Sequence, residues 1–131
     1  TLATHYSIKE TRLDFQILFY PVITMDQSYT HAGSRANLLG ENPSKELVEK
    51  YSNELQVTSD TPKAFIFLSS DDDAVPAANG VNYYMALVRN NVSASLHAYP
   101  TGGHGWGYGE GFIYKRQWTG ELEKWLREEV K

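Results

Sequence analysis

Three short apolar runs alternate with segments of helical period, and no other feature constrains the fold of this chain as much. Residues Phe15 to Tyr20 (FQILFY) form a mostly apolar run with aromatic and branched side chains, ended by Pro21, as expected of a buried strand in a parallel sheet. Lys63 to Leu68 (KAFIFL) and Val92 to Tyr99 (VSASLHAY, ended by Pro100) have the same character. Among the helical segments, Asn42-Pro43 reads as an N-cap followed by proline in the first turn. Leu47, Val48, Tyr51 and Leu55 then recur at three- and four-residue spacing. After Pro76, the residues Ala77, Val81, Tyr84, Met85 and Val88 form an amphipathic stripe. Trp118, Leu122, Trp125 and Leu126 form another, with charges on the opposite face. Alternation at this spacing implies βαβ crossovers, hence an α/β fold with a mostly parallel sheet and helices on its faces.

Composition agrees with a single packed unit. The chain has 131 residues, 41% hydrophobic and 13% aromatic, enough for a core and against disorder. Its formal charge of −4 is dispersed, with no basic block to follow a phosphate backbone, so nucleic acid is not an expected partner. No apolar run approaches the roughly 20 residues of a membrane span, and no membrane partner is expected. The N-terminus lacks a signal-peptide pattern, so any export signal is expected outside this chain. There is no cysteine, and no pair of histidines at helical i, i+4 spacing, so neither a disulfide framework nor a metal site is expected, and no cofactor is implied.

In open parallel sheets the functional groups sit on loops at the C-terminal ends of the strands. The loop from Pro21 to Asn42 is long and rich in Thr, Gly, Ser and Asn, in the manner of a lid or binding segment. The second strand is followed by Ser69-Ser70-Asp71-Asp72-Asp73-Ala74-Val75-Pro76, three consecutive acids before a helix. Such acids are ordinary helix caps, and one of them is expected to serve that way. The third strand is followed by Tyr99-Pro100-Thr101-Gly102-Gly103-His104-Gly105-Trp106-Gly107. Glycines on both sides permit positive φ and leave the imidazole accessible, which a core histidine does not require; a plain glycine-rich turn is the other reading. Taken together, the two loops fall on the same edge of the sheet. An aspartate there can accept the Nδ1–H of His104 and leave Nε2 to deprotonate a hydroxyl, which is two thirds of a Ser-His-Asp triad.

The order strand, Asp-x-x-Val-Pro, helix, strand, Tyr-Pro-x-Gly-Gly-His-Gly, helix resembles the C-terminal half of α/β-hydrolases of the carboxylesterase and acetyl-xylan-esterase type, often named endo-1,4-β-xylanase or xylanase B. The resemblance covers nearly the whole chain, including His31-Ala32-Gly33-Ser34-Arg35-Ala36-Asn37-Leu38-Leu39-Gly40 in the long loop. It implies that residues 1–131 are the C-terminal portion of one doubly wound, three-layer domain. It assigns the triad acid to Asp72, which stands before x-x-Val-Pro, and the base to His104. Asp71 and Asp73 are left with capping or solvation, and Trp106 is placed beside the site. The family commonly has a histidine at the strand end occupied here by Leu68.

The nucleophile has no counterpart. The family's serine lies in a Gly-x-Ser-x-Gly turn upstream of the Phe15 strand, and Gly33-Ser34 followed by Arg35-Ala36 does not match it, so Ser34 reads as a loop residue. Thr1 to Tyr6 resembles the end of the helix after that turn. The chain, which has no initiator Met, thus reads as a partial product that begins one helix too late for catalysis. Of the other histidines, His97 reads as a hydrogen-bonded structural residue, His31 as able to reach the pocket, and His5 as surface.

The resemblance implies a serine esterase acting on small-molecule or carbohydrate esters, with acetyl groups of xylan-type carbohydrates as a substrate class and this segment alone inactive. Two other classes compete. A non-catalytic module could self-associate through the sheet edge exposed beside Phe15 to Tyr20. A glycosidase would need two carboxylates across a sugar cleft, for which Asp71 or Asp73 with Glu110 are the suggestive acids.

Overall fold

The computed structural model describes residues 1–7 and 9–130. Its centre is a parallel sheet of β1 (Phe15–Phe19), β2 (Lys63–Ser69) and β3 (Ala94–Tyr99), in the order β1-β2-β3. Phe15 pairs with Lys63 and Phe19 with Phe67; Ala64 pairs with Ala94 and Ser69 with Tyr99. The helices are α1 (Ala32–Leu39), α2 (Lys45–Tyr51), α3 (Ala78–Arg89) and α4 (Lys115–Glu129). The expected α/β architecture is present.

The central strand builds both faces by simple alternation. Phe65 and Phe67 point to one side, where they meet Trp118 and Trp125 of α4, Trp106 and Tyr99. Ala64 and Ile66 point to the other, where they meet Tyr83 and Leu87 of α3 with Ile23 and Val92. Both sides of β2 are therefore covered, and burial of each large side chain such as Phe67 contributes about 1.5–3 kcal/mol. Gly80 lets α3 approach closely: a Cβ there would lie 2.7 Å from Leu68 Cδ2.

Several boundaries differ from expectation, each for a local reason. β1 stops at Phe19 because Tyr20 takes φ 36°, although its N–H still donates to the Phe67 carbonyl at 2.6 Å. β3 starts at Ala94 because Val92 belongs to the end of α3. Asn91 takes φ 59°, its N–H donates to Val88 and that of Val92 to Leu87, a C-terminal cap of the Schellman type with asparagine in place of glycine. Residues 1–4 form a turn in which the Thr4 N–H donates to the Thr1 carbonyl.

The long segment 21–42 is only partly loop, since it contains α1. His31 is the N-cap of that helix and Gly40, at φ 81°, lies at its end. None of the residues of α1 is buried, so the helix is not fixed by an apolar face turned to the core. The cap of α2 is Ser44, whose hydroxyl accepts the Leu47 N–H, in place of Asn42. Leu55 lies beyond α2 in a separate 3-10 turn and is exposed, as is Leu47.

The largest revision concerns α3. Its buried residues are Asn79, Gly80, Tyr83 and Leu87, whereas Val81, Met85 and Val88 of the expected stripe are exposed. Asn79 explains the orientation. Its Oδ1 accepts the N–H groups of Ile23 and Thr24 (3.0 and 3.1 Å), and its Nδ2 donates to the carbonyls of Tyr29 and Pro76 (2.8 and 3.0 Å). All the capacity of a buried amide is thereby used, which turns a polar residue into a structural anchor.

Candidate active site

Asp72 and His104 meet at the C-terminal edge of the sheet. The His104 Nδ1 lies 2.8 Å from Asp72 Oδ2, with the aspartate side chain 1% exposed and the histidine 36%. The parallel pairing of β2 with β3 makes this contact: Ser69 lies opposite Tyr99, and the Ser70 N–H donates to the Tyr99 carbonyl at 2.8 Å, so the two loops leave the sheet side by side.

The other oxygen of Asp72 is also engaged. Oδ1 accepts the N–H groups of Ala74 and Val75 at 3.0 and 2.9 Å. Val75 is itself buried, which anchors the turn in the core. Asp72 thus closes its own loop with one oxygen and faces the imidazole with the other, and none of the three acids caps the helix as expected. This is the physical content of its spacing from Val75-Pro76. Helix α3 itself is entered at Ala77 without a side-chain cap.

The histidine loop is built around glycine. Gly102 and Gly103 take φ 148° and 61°, and a Cβ at Gly102 would stand 2.6 Å from Phe112 and 2.8 Å from Ser69 Oγ. Trp106, as expected, packs beside the site. It is buried, its indole N–H donates to Ser69 Oγ at 2.8 Å, and its ring stacks on Phe112 at 4.0 Å between centroids. Leu68, at the strand end where the resembled family commonly has a histidine, is buried and packs toward α3.

Two contributors were missed in the sequence. Tyr20, at the end of β1, places its ring against His104 (centroids 4.5 Å apart, planes at 61°) and against Trp106 (5.3 Å, 77°). The only signal for it was an aromatic residue closing a strand ahead of proline. Asp71 accepts the N–H groups of Gly102 and Gly103 at 3.2 and 2.8 Å, so it ties down the histidine loop. The Gly103 amide, chiefly, holds its carboxyl below the usual carboxylate range, with burial opposing and Gly102 assisting.

The remaining candidates lie elsewhere. His31 Nδ1 accepts the Ser34 N–H at 3.2 Å and lies 2.9 Å from Ser34 Oγ, a local cap that places Ser34 in the first turn of α1. His5 is half-buried, its Nε2 2.7 Å from the Lys50 carbonyl and its ring stacked on Tyr51. His97 lies on Phe65, ring on ring at 4.5 Å, where a hydrogen-bonded residue was expected. Burial lowers its pKa, and Glu121 opposes the shift. Glu110 is exposed and paired with Lys115. Among the described residues no cluster of three or more His, Cys, Asp or Glu side chains suits a metal ion. Nor is any helix among them long and apolar enough to cross a membrane.

The chain is similar in sequence and in fold to known proteins. An acetylxylan esterase from Xylanibacter ruminicola is 42% identical over 122 residues, which is 90% of this chain and 25% of that protein. An endo-1,4-beta-xylanase B from Butyrivibrio fibrisolvens is 40% identical over 94 residues, 72% of this chain and 15% of its own length. In three dimensions, the acetyl ester-xyloside bifunctional hydrolase from Caldicellulosiruptor lactoaceticus superposes with a TM-score of 0.85 at 40% identity, covering 89% of this chain and 43% of that one. The chain therefore spans a quarter or less of these curated relatives and under half of the solved structure. The family profile matches residues 15–131, nearly the whole sequence, and the fold agrees with it. The chain belongs to the prolyl oligopeptidase family of α/β-hydrolases.

Proposed function

We propose that this chain supplies the acid and base of a carboxylic-ester hydrolase whose serine nucleophile lies in another part of a longer polypeptide, and that acetyl esters of xylan-type carbohydrates are its substrate class. The contact between His104 Nδ1 and Asp72 Oδ2 carries the reading. With Nδ1–H committed to the aspartate, the lone pair of Nε2 is free to accept a proton. The ring has the exposure to do so, and Nε2 has no hydrogen-bond partner among the described residues.

In that role His104 takes the proton of the attacking serine hydroxyl and returns it to the departing alcohol, while Asp72 orients the ring and stabilises the imidazolium between the two transfers. The burial of Asp72 suits this task, because its side chain is pre-set by two backbone N–H groups and need not reorganise as charge develops on the ring. Backbone N–H groups beyond this chain would form the oxyanion hole. The names of the acetylxylan esterase and of the acetyl ester-xyloside hydrolase support the substrate class.

Glycosidic cleavage by this region is less well supported, because two of the three acids it would use, Asp71 and Glu110, have other partners. Asp71 is bound to two glycine amides and Glu110 to Lys115.

The test uses the longer protein and p-nitrophenyl acetate. His104→Ala and Asp72→Asn should each lower kcat on the order of 10⁴-fold, and the 131-residue chain alone should be inactive. Unchanged turnover in His104→Ala would sink the assignment, and His104-dependent turnover by the isolated chain would sink the placement of the nucleophile.

A further inference from the structure

Asp71 and Asp72 are neighbours that bind the same loop in two ways. Asp72 reaches the His104 ring, whereas Asp71 reaches the backbone that carries it: Oδ2 accepts the Gly102 N–H at 3.2 Å and Oδ1 the Gly103 N–H at 2.8 Å. We propose that Asp71 is a positioning residue for His104, its carboxylate fixing the Gly102-Gly103 turn so that the imidazole meets Asp72.

The turn needs such a restraint. Glycines reach positive φ at little cost, but they also lose the most freedom when held there. Gly103 has nothing within 4 Å of a would-be Cβ, so packing does not confine it. Two successive N–H groups of such a turn form a concavity suited to an anion, and hydrogen bonds to a charged acceptor are stronger than neutral ones. Here the anion is supplied by the chain itself. The lowered pKa of Asp71 agrees with a carboxylate kept ionised by these amides.

Core packing does not account for the arrangement, because Asp71 is exposed. Nor does acidity alone. Asp73, two residues on and equally exposed, makes no hydrogen bond or ion pair among the described residues, which makes it an internal control.

The inference builds on His104 being the base, and the experiment separates the two. The 131-residue chain labelled with ¹⁵N is examined by NMR for the ring-nitrogen shifts of His104, which report its tautomer, and for the hydrogen exchange of the Gly103 amide. Asp71→Ala should raise Gly103 exchange about tenfold, the scale of one charge-assisted bond, and move the His104 nitrogens toward mixed-tautomer values. Asp71→Asn retains one acceptor and should fall between Asp71→Ala and the parent. Asp73→Ala should match the parent. If Asp71→Ala does not fold, the graded response of Asp71→Asn decides the matter in its place. Unchanged tautomer and exchange in the folded variants would overturn the role of Asp71 while leaving His104 as base. Absence of the Nδ1–H tautomer from the parent chain would instead overturn the base assignment, and the role of Asp71 with it.

Discussion

Helices α3 and α4 pack on opposite faces of the same sheet, and their sequences look equally amphipathic, yet only α4 buries the stripe that its spacing suggests. Trp118 and Trp125 are buried in α4, and Leu122 and Leu126 are packed at their margins. In α3 Val81, Met85 and Val88 of the stripe face outward, and the buried side is an asparagine, a glycine, a tyrosine and a leucine. The difference is one of chemistry. On the α4 face large rings meet large rings: Trp125 packs edge-on against Phe15 and Phe65, and Trp118 against Phe19 and Phe67. On the α3 face the helix comes close to the sheet through Gly80 and is held by the hydrogen bonds of Asn79. Periodicity registers apolar surface, so it finds the first kind of interface and overlooks the second.

Three substitutions test this contrast, in order of expected effect. Trp125→Ala removes the α4 ring that packs on Phe15 and Phe65 and should cost about 3–5 kcal/mol, read from urea unfolding. A loss under 1 kcal/mol would mean that the aromatic face is not what holds α4. Asn79→Ala should cost about 2–3 kcal/mol by leaving the buried N–H groups of Ile23 and Thr24 unpaired, and a near-neutral result would show that these amides readily find other acceptors. Met85→Gln, on the outward side of the same helix, should change stability by less than about 0.5 kcal/mol. A clear loss there would restore the stripe as a packing surface and remove the distinction between the helices.

The sheet is largely legible because its strands are short, apolar and bounded: the runs expected for β1 and β2 each differ from the strand by one residue at the C-terminal end, and that for β3 by two at the N-terminal end. Asp72 and His104 could be chosen for a related reason. The strand ends are easily located, and a glycine-flanked histidine and an acid at fixed distance from Val75-Pro76 stand out against them. What was not legible depended on geometry without a compositional mark. α1 begins at a histidine cap and has no buried side. Tyr20 matters through φ 36° and a ring contact, neither of which spacing encodes. Asp71 differs from Asp73 only in which backbone groups lie within reach.

The contact between Asp72 and His104 also has a kinetic meaning. The two residues are 32 positions apart and lie beyond the ends of β2 and β3, with α3 in between. They cannot meet until β3 has docked beside β2, a non-local pairing whose loop-closure entropy must be met before any contact offsets it. The acid–histidine bond therefore reports late events in folding, after the crossover helix has been laid down. The Nδ1–H signal of His104 should accordingly be among the last native features to return on refolding.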